Sequence, residues 1–592
     1  MSTALDSMTT KVIDEQHQNI LSRITVEHAL YFLIAIIAAI LRLPGLGSPP
    51  LSPSEATEAL AVWDQWQPAS DLTNIGSPLY FTMTGLISQV MGYSDEVMRL
   101  VPALFGIALT VLPWFLRHRS DKLGALVASL LLAVSPTLTF TSRIAGGQSA
   151  ALFFGFLILI AWLRYQELAT ASWFYILVIA MAFGITTDPL FFGFLVSLIL
   201  AWLAQATIGP SLFIDDNGRR HPVVLPVRSE ARAGLLLALG VFFIVGTAFL
   251  IRPDGIGAAA DLFAQWIARF SLETDTQLWI SPFLAILRYE LALLIVGLPA
   301  MFWAIRSDRP FPFLLVYWLV GSLILLLLQR GVVVNVVLVT IPGILLIGTF
   351  TGAIFGEIQD WRRLSFSIVV LVAAGIIYVN LSRYGRLLDA NQSVAGSYNI
   401  LLVVITLMAT ATLFAILWGW DKETVKKSVI AGILLIIVVV SWSIAWWIGR
   451  VGANDTREML VSIASDDDLP LLANTINQLS WQLDNSEKDV QVLSSVDSPT
   501  LRWYLRELTN LEISNALPRS MDTSLIVTTN EQVPELATGY IGSDFGHIRL
   551  NSPQRYSMAD MLRWWLFRES PSQVLEERVI LWLRADLAGV TP

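Results

Sequence analysis

Long apolar runs with few charges dominate the chain from about residue 26 to residue 448. Each is long enough to cross a hydrocarbon core about 30 Å thick, so the pattern predicts about 13 membrane-spanning helices. The runs lie near 26–43, 98–117, 122–140, 148–165, 173–187, 189–208, 233–251, 283–305, 311–329, 331–350, 365–381, 399–419 and 427–448. The two runs that meet at Thr187-Asp188-Pro189 form either one bent helix or two short ones.

The pattern changes after Arg450. Short apolar stretches such as "KDVQVLSSV", "TSLIVTT" and "ERVILWLRADL" are typical of strands, and "SPTLRWYLREL" predicts a helix capped by Ser498. Strands interleaved with helices indicate a small α/β domain. We therefore expect a tail at 1–25, a membrane domain at 26–450 with a long loop at 44–97, and a soluble α/β domain at 451–592.

Basic residues indicate how the chain crosses the membrane. Lys and Arg concentrate in alternate loops, as in "RHRSDK" at 117–122, whereas the loop 44–97 has none. Because cytoplasmic loops carry the excess of Lys and Arg, we expect the N-terminus in the cytoplasm. An odd number of spans then places the C-terminal domain outside a multi-pass protein of the cell membrane.

Composition removes several classes of function. Hydrophobic residues make up 55% of the chain and charged residues only 14%, as expected for a membrane protein. Cysteine is absent, which excludes disulfides and thiolate catalysis, and no pair of histidines has a metal-ligand spacing. No dense basic stripe suggests a nucleic-acid partner. We expect neither a metal nor another cofactor.

The acidic segment "PPLSPSEATEALAVWDQW" lies just outside the first predicted span. It carries Glu55, Glu58 and Asp64 but no basic residue. On composition alone it is typical of an interfacial helix, with Trp63 and Trp66 at the level of the lipid headgroups. Its neighbours give it a second interpretation.

The order of motifs after this segment resembles the GT-C-type membrane glycosyltransferases, which include the protein mannosyltransferases and the aminoarabinose transferases. The matching pieces are Pro78-Leu79-Tyr80, Arg99-Leu100-Val101-Pro102-Ala103-Leu104-Phe105-Gly106, Leu132-Ala133-Val134-Ser135-Pro136 and Ser142-Arg143. The stretch from Trp503 to Arg506 is similar to one in the prokaryotic flippase-activity-associated branch. The resemblance implies an inverting, metal-independent transfer of a sugar from a polyprenyl-phosphate donor to an acceptor outside the membrane.

In such an enzyme a carboxylate accepts the proton of the acceptor hydroxyl, and cationic side chains hold the lipid phosphate. The resemblance implies Glu55 as the base, with Glu58 as a second candidate. It also implies a set of substrate-binding residues. These are Arg143, Arg330, Arg99, Asp188 and Tyr80. The alternative for the arginines is snorkelling at the membrane interface, and for Asp188 a position at a helix end.

The sequence departs from the family pattern at four predicted cavity positions. These are Ser54 in place of Asp, Gly76 in place of His, Gly146-Gly147-Gln148 in place of Arg-Asn-Asp, and Thr187 in place of Lys. The alternative function is therefore a catalytically degenerate relative that binds lipid-linked sugar or serves as a scaffold subunit of a membrane complex. Expected partners are a polyprenyl-phosphate-linked sugar, membrane lipids and partner membrane proteins. A transporter is disfavoured, because no inverted repeat or pathway of paired charges is evident.

Overall fold

The computed structural model describes most of the chain. The described residues are 25–65, 74–213, 223–270, 281–329, 332–356, 366–390, 393–514, 523–530, 539–551, 557–569 and 574–587. Within them, every predicted apolar run is largely helical. The runs that meet at Asp188 are two helices, because the first ends at Ile185 and the second begins at Pro189.

Twenty-one α-helices lie in the described ranges. In chain order they are α1 (Val26–Arg42), α2 (Pro53–Asp64), α3 (Pro78–Met91), α4 (Asp95–Val111), α5 (Lys122–Val134), α6 (Pro136–Thr141), α7 (Gln148–Leu168), α8 (Ala171–Ile185), α9 (Pro189–Thr207), α10 (Arg228–Gly246), α11 (Gly255–Ala268), α12 (Ser281–Tyr289), α13 (Leu298–Arg306), α14 (Pro310–Leu328), α15 (Val337–Phe355), α16 (Phe366–Asp389), α17 (Ser393–Trp420), α18 (Lys422–Trp446), α19 (Asp468–Asp484), α20 (Pro499–Tyr504) and α21 (Met558–Phe567). Two π-helical segments also occur, at Leu293–Gly297 and Trp447–Val451.

Nine helices of the described ranges are long and apolar enough to cross a membrane. A tenth span is formed if α12 and the helix that follows it are counted together, although the two are bent by 93°. The remaining predicted runs form α1, α5 and α8, which have 17, 13 and 15 residues. The predicted class, a many-helix membrane protein with a C-terminal domain that contains a sheet, is confirmed.

The C-terminal domain contains one mixed six-stranded sheet. Its strands are β1 (Ile463–Ser465), β2 (Val492–Ser494), β3 (Leu511–Ile513), β4 (Leu525–Thr529), β5 (Tyr540–Asn551) and β6 (Val574–Arg584). Their order is β1-β5-β6-β4-β2-β3, with parallel pairs only at β4-β2 and β2-β3. Helix α19 and the short α20 cover one face with apolar side chains. Because β1 is the first strand in this order, it is an edge strand.

Helix α20 fastens this domain to the membrane domain. The Trp503 indole and the Tyr504 hydroxyl donate to the two oxygens of Asp95, at 2.7 and 2.6 Å. The same hydroxyl accepts the N–H of Leu51 at 3.0 Å, just before α2. Arg506 stacks on Trp503 and donates to the Tyr93 carbonyl at 2.7 Å. The Trp-Tyr-Leu-Arg stretch thus fixes the entry to α2, and we call this end of the helical bundle the α2 end.

We expect Tyr504→Phe to loosen this attachment. The change removes one hydroxyl that both donates and accepts, and leaves two partly buried partners unsatisfied. The cost is about 1–3 kcal/mol, which lowers the midpoint of thermal unfolding. Tyr398→Phe is the matched control, since Tyr398 is 69% exposed. Equal midpoints for the two variants would show that the hydroxyl contributes nothing.

Candidate functional site

The start of α2 is shaped by its own first turn. Pro53 occupies the first turn, where its missing N–H costs nothing. Glu55, at the third helical position, reaches back to the N–H and the hydroxyl of Ser52, both 2.9 Å from Oε2. This arrangement satisfies the exposed amide at the helix start. It also turns the Glu55 carboxylate away from solvent, so that the residue is only 3% exposed.

Glu55 and Arg99 form a buried, two-pronged ion pair. Arg99 Nε lies 2.7 Å from Oε1 and Nη2 lies 2.8 Å from Oε2. The Ala145 N–H donates to Oε1 at 2.8 Å. Burial alone would raise the pKa of Glu55, but Arg99 and the N–H donors of Ala145 and Ser52 hold it below its ordinary value. Glu55 is therefore a fixed anion whose oxygens already have five donors.

A cavity of about 170 Å³ lies beside this ion pair, between the membrane domain and the C-terminal domain. Both domains supply its wall, including Ser462, Ile463 and Ala464 at the edge strand β1. Its polar lining includes Ser48, Ser52, Ser54, Glu55, Arg99, Arg143, Gln148 and Asn454. Two cationic side chains and one neutralised carboxylate give this cavity a net positive character. Such a pocket favours an anionic ligand.

Arg143 is held in the cavity wall by backbone oxygens. Its Nη1 donates to the carbonyls of Arg42 and Pro44 at 2.8 and 3.0 Å, and its Nη2 donates to that of Gly45 at 2.7 Å. Burial, followed by repulsion from Arg450 and Arg99, lowers the pKa of Arg143 to about 10. The side chain remains cationic at neutral pH and lacks a described carboxylate partner.

Glu58 projects from α2 toward a different group of residues. Its only described hydrogen bond is from the Ser77 N–H, 3.3 Å from Oε2. A Cβ at Gly76 would overlap the carboxylate, so the glycine makes room for it. Burial raises the pKa of Glu58 to about 7, the Ser77 N–H opposes that rise, and the Asp188 carboxylate adds to it. The two carboxylates therefore interact, and both side chains are partly exposed.

Asp188 is the N-cap of α9. Its Oδ1 accepts the N–H of Leu190 at 2.8 Å, so the interpretation as a helix-end residue is correct. It also lies close enough to Glu58 to raise the pKa of that carboxyl, and burial raises the pKa of Asp188 itself while Arg269 opposes that rise. Asp188 is a capping residue that also sets the electrostatic environment of Glu58.

Tyr80 and Arg330 are the two remaining predicted residues. Tyr80 is 1% exposed, and its hydroxyl donates to the Met98 carbonyl at 2.8 Å, which places it in the packing between α3 and α4. Arg330 lies outside the described residues. The structure thus brings Glu55, Arg99 and Arg143 to one cavity and pairs Glu58 with Asp188, while Tyr80 lies apart from the cavity lining.

The structure also shows where the residues that depart from the family pattern lie. Ser54 is exposed and lines the cavity. A hydroxyl therefore faces the cavity at the position where the family pattern has an aspartate. A Cβ at Gly147 would overlap the carbonyl of Thr187 and approach the Ser77 hydroxyl to 2.5 Å. The loop before α7 therefore packs directly on the start of α3 and the end of α8. In the described part of the chain, no group of three or more His, Asp or Glu residues is arranged to hold a metal ion.

Sequence reasoning missed Glu290. This buried residue lies at the bend between α12 and the π-helical segment, and its Oε1 accepts from the hydroxyls of Ser135 and Thr137, each at 2.6 Å. A charge inside the apolar run 283–305 was the available signal. Glu290 fixes the start of α6, which leads directly to Arg143.

Comparisons with known proteins identify the fold. The family model described as dolichyl-phosphate-mannose-protein mannosyltransferase matches residues 76–213. ArnT from Cupriavidus metallidurans, solved with undecaprenyl phosphate bound, matches with a TM-score of 0.53 at 13% identity, over 95% of this chain and 99% of that one. The oligosaccharyltransferase AglB from Archaeoglobus fulgidus, in complex with an inhibitory peptide and a dolichol-phosphate, has a TM-score of 0.44 at 10% identity, over 85% and 69%. No curated protein sequence matches significantly.

Proposed function

We propose that this chain, which has the fold of the GT-C-type membrane glycosyltransferases, transfers a sugar from a polyprenyl-phosphate donor to an acceptor at the extracytoplasmic surface. The fold likeness to a protein solved with undecaprenyl phosphate supports the class of donor. The cavity beside Arg99 and Arg143 provides the positive charge that a lipid phosphate requires.

Glu58 is the carboxylate whose properties fit a general base. An efficient base has a pKa close to the working pH and a lone pair that is not already engaged. Glu58 has a pKa of about 7 and one long hydrogen bond, whereas Glu55 is locked by Arg99. This contrast is the observation on which our assignment of the base depends.

In the proposed step one C–O bond of the sugar forms and another breaks. The acceptor hydroxyl attacks the anomeric carbon and forms the new C–O bond, while Glu58 takes the hydroxyl proton. The bond between the anomeric carbon and the phosphate oxygen breaks with its electron pair, which leaves polyprenyl phosphate with one additional negative charge. The net positive charge of the cavity, which Arg143 supplies, stabilises that product. Glu55 keeps Arg99 in place and undergoes no change in protonation.

The cavity geometry favours a second candidate function, a non-catalytic subunit that binds lipid-linked sugar. The observation that favours it is that Ser54 lines the cavity where the family pattern has an acidic residue. The nearby Glu55 is already held by Arg99. Purified protein should be tested with radiolabelled polyprenyl-phosphate hexoses and pentoses, with native membranes as the source of acceptor. Transfer that depends on Glu58 supports the enzyme. Donor binding without transfer for every donor supports the subunit.

The pH dependence of transfer gives a sharper test. Only the ionised form of Glu58 accepts a proton, so the rate should rise with pH up to about 7 and then level off. Asp188→Asn removes the charge that helps to raise the pKa of Glu58, yet Asn also caps helices well. We therefore expect the rising limb to move to lower pH while thermal stability stays close to that of the wild type. If the rising limb does not move, Glu58 is not the group whose ionisation controls the rate.

A further inference from the structure

Helix α21 belongs to the C-terminal domain, yet it packs against a membrane span. The Tyr378 hydroxyl of α16 donates to the Leu566 carbonyl at 3.2 Å. One further contact lies closer to the end of α16, where a Cβ at Gly385 would overlap the Phe567 ring. The last turn of α21 therefore lies alongside α16.

These two contacts fix the depth of α21 in the bilayer. The apolar span within α16 is Phe366–Leu387. Gly385 lies two residues and Tyr378 nine residues before its end, which is about 3 and 13 Å along the helix axis. The Cα–Cβ bond of a helical residue tilts toward the start of its helix, so the Tyr378 side chain begins deeper still. Since the hydrocarbon core is about 30 Å thick, the last turn of α21 lies at the depth of one leaflet.

One face of α21 rests on the end of α12. Met561 and Trp564 are 6% and 1% exposed. The Trp564 ring lies 5.4 Å from the Tyr289 ring, and the Arg288 guanidinium lies 4.2 Å from the centre of the Trp564 ring. The Trp565 indole donates to the Arg288 carbonyl at 3.3 Å. This face is therefore fixed by protein.

The opposite face of α21 carries exposed apolar side chains. Met558 and Leu562, one helical turn apart, are 71% and 57% exposed. Leu566 continues the same row and reaches α16, so the exposed row points to the side on which α16 lies. Only 11% of the apolar window of α16 is buried, so that side is occupied by lipid. Arg563 lies beside Leu562, and its side chain is 53% exposed.

We propose that α21 is a membrane-embedded helix, whose Met558 and Leu562 side chains contact the acyl chains of the leaflet next to the C-terminal domain. Helices that lie in the membrane interface combine an apolar row with cationic side chains. The long Arg563 side chain extends from this row to the lipid headgroups. The domain that the sequence predicts to be soluble is thus attached to the bilayer itself. This inference does not depend on the proposed sugar transfer.

A buried carboxylate joins α21 to the wall of the cavity. Oε1 of Glu458 accepts from the Trp564 indole at 2.8 Å, and Oε2 accepts from Arg288 Nη2 and the Tyr289 hydroxyl at 2.9 and 2.6 Å. The segment 460–464, which follows Glu458 directly, lines the cavity. The membrane-embedded helix is therefore two residues of contact away from the functional site.

Spin labels report whether the exposed row contacts lipid. The chain contains no cysteine, so Met558→Cys and Leu562→Cys each provide a single labelling site. The labelled proteins are studied by electron paramagnetic resonance in nanodiscs of phosphatidylcholine and phosphatidylglycerol. Collisions of the label with oxygen, which concentrates in lipid, are compared with collisions with a water-soluble nickel chelate. Met408→Cys, on the lipid-exposed span α17, and Gln482→Cys, on the exposed face of α19, are the lipid and water controls.

We expect both labels on α21 to show the high ratio of oxygen to nickel collisions found for Met408→Cys. A ratio equal to that of Gln482→Cys would place the row in water, and few collisions with either reagent would show that protein covers it. Either result overturns the proposal. If the cysteine variants do not fold, a phospholipid with a photoreactive acyl chain tests the wild type. Crosslinks within 558–567 support the membrane-embedded helix, and crosslinks confined to the spans refute it.

Discussion

Glu58→Gln should lower the rate of sugar transfer by about 10²–10⁴-fold, the usual contribution of a positioned general base. The amide is nearly the same size as the carboxylate and can still accept the Ser77 N–H, so the fold should persist. Because the change removes proton acceptance and leaves the arginines untouched, binding of undecaprenyl phosphate should stay at the wild-type level. Rates with radiolabelled donor and affinities from nanodisc binding measure the two effects separately.

Glu96→Gln is the control for this prediction. Glu96 is an exposed carboxylate at the start of α4, at the same end of the bundle, and its loss should leave transfer unchanged. Full transfer by Glu58→Gln would remove Glu58 from the mechanism. Parallel losses of transfer and binding in that variant would point to a collapsed site rather than a missing base.

Breaking the ion pair between Glu55 and Arg99 should be the most destabilising single change at the site. Arg99→Gln leaves a buried carboxylate without its cation, and Glu55→Gln leaves a buried guanidinium without its anion. Removing one partner of such a pair costs about 3–5 kcal/mol. Each single variant should therefore show a lower midpoint of thermal unfolding in detergent, and reduced transfer as a consequence.

The double variant distinguishes this structural role from catalysis. With both charges removed, no uncompensated ion remains, so Glu55→Gln with Arg99→Gln should be less destabilised than the sum of the single variants. Glu507→Gln provides the control, since its pair with Lys488 is about half exposed and should contribute at most about 1 kcal/mol. Additive losses at Glu55 and Arg99 would contradict a coupled pair.

The helical part of the fold could be predicted from sequence because the bilayer imposes a strong pattern. Each apolar run is largely helical within the described residues, and of the two alternatives left open at Pro189 the structure has two helices. The resemblance to GT-C-type glycosyltransferases, carried by motifs such as Arg99 to Gly106, is confirmed by the family match and the fold of ArnT. These signals are local or repetitive, so a single sequence displays them.

The chemistry of the site was less accessible because it depends on contacts between distant segments. The sequence indicated Glu55 and Glu58 as candidate bases but not the residues around them. In the structure, Arg99 and the N–H of Ala145 stabilise the charge of Glu55, and the charge that acts on Glu58 comes from Asp188. Pairings across 44 to 130 positions of sequence leave no periodic trace.

The strand β1 wall and the hydroxyl of Tyr504 have a consequence for biogenesis. The ribosome makes the helical bundle first, yet the cavity needs Ser462 to Ala464 and the anchor on Leu51 to be complete. A newly inserted bundle thus holds an unfinished pocket until the last segment has been made and has folded. Loss of the C-terminal part would open the pocket while leaving Arg99 and Arg143 in the helical bundle.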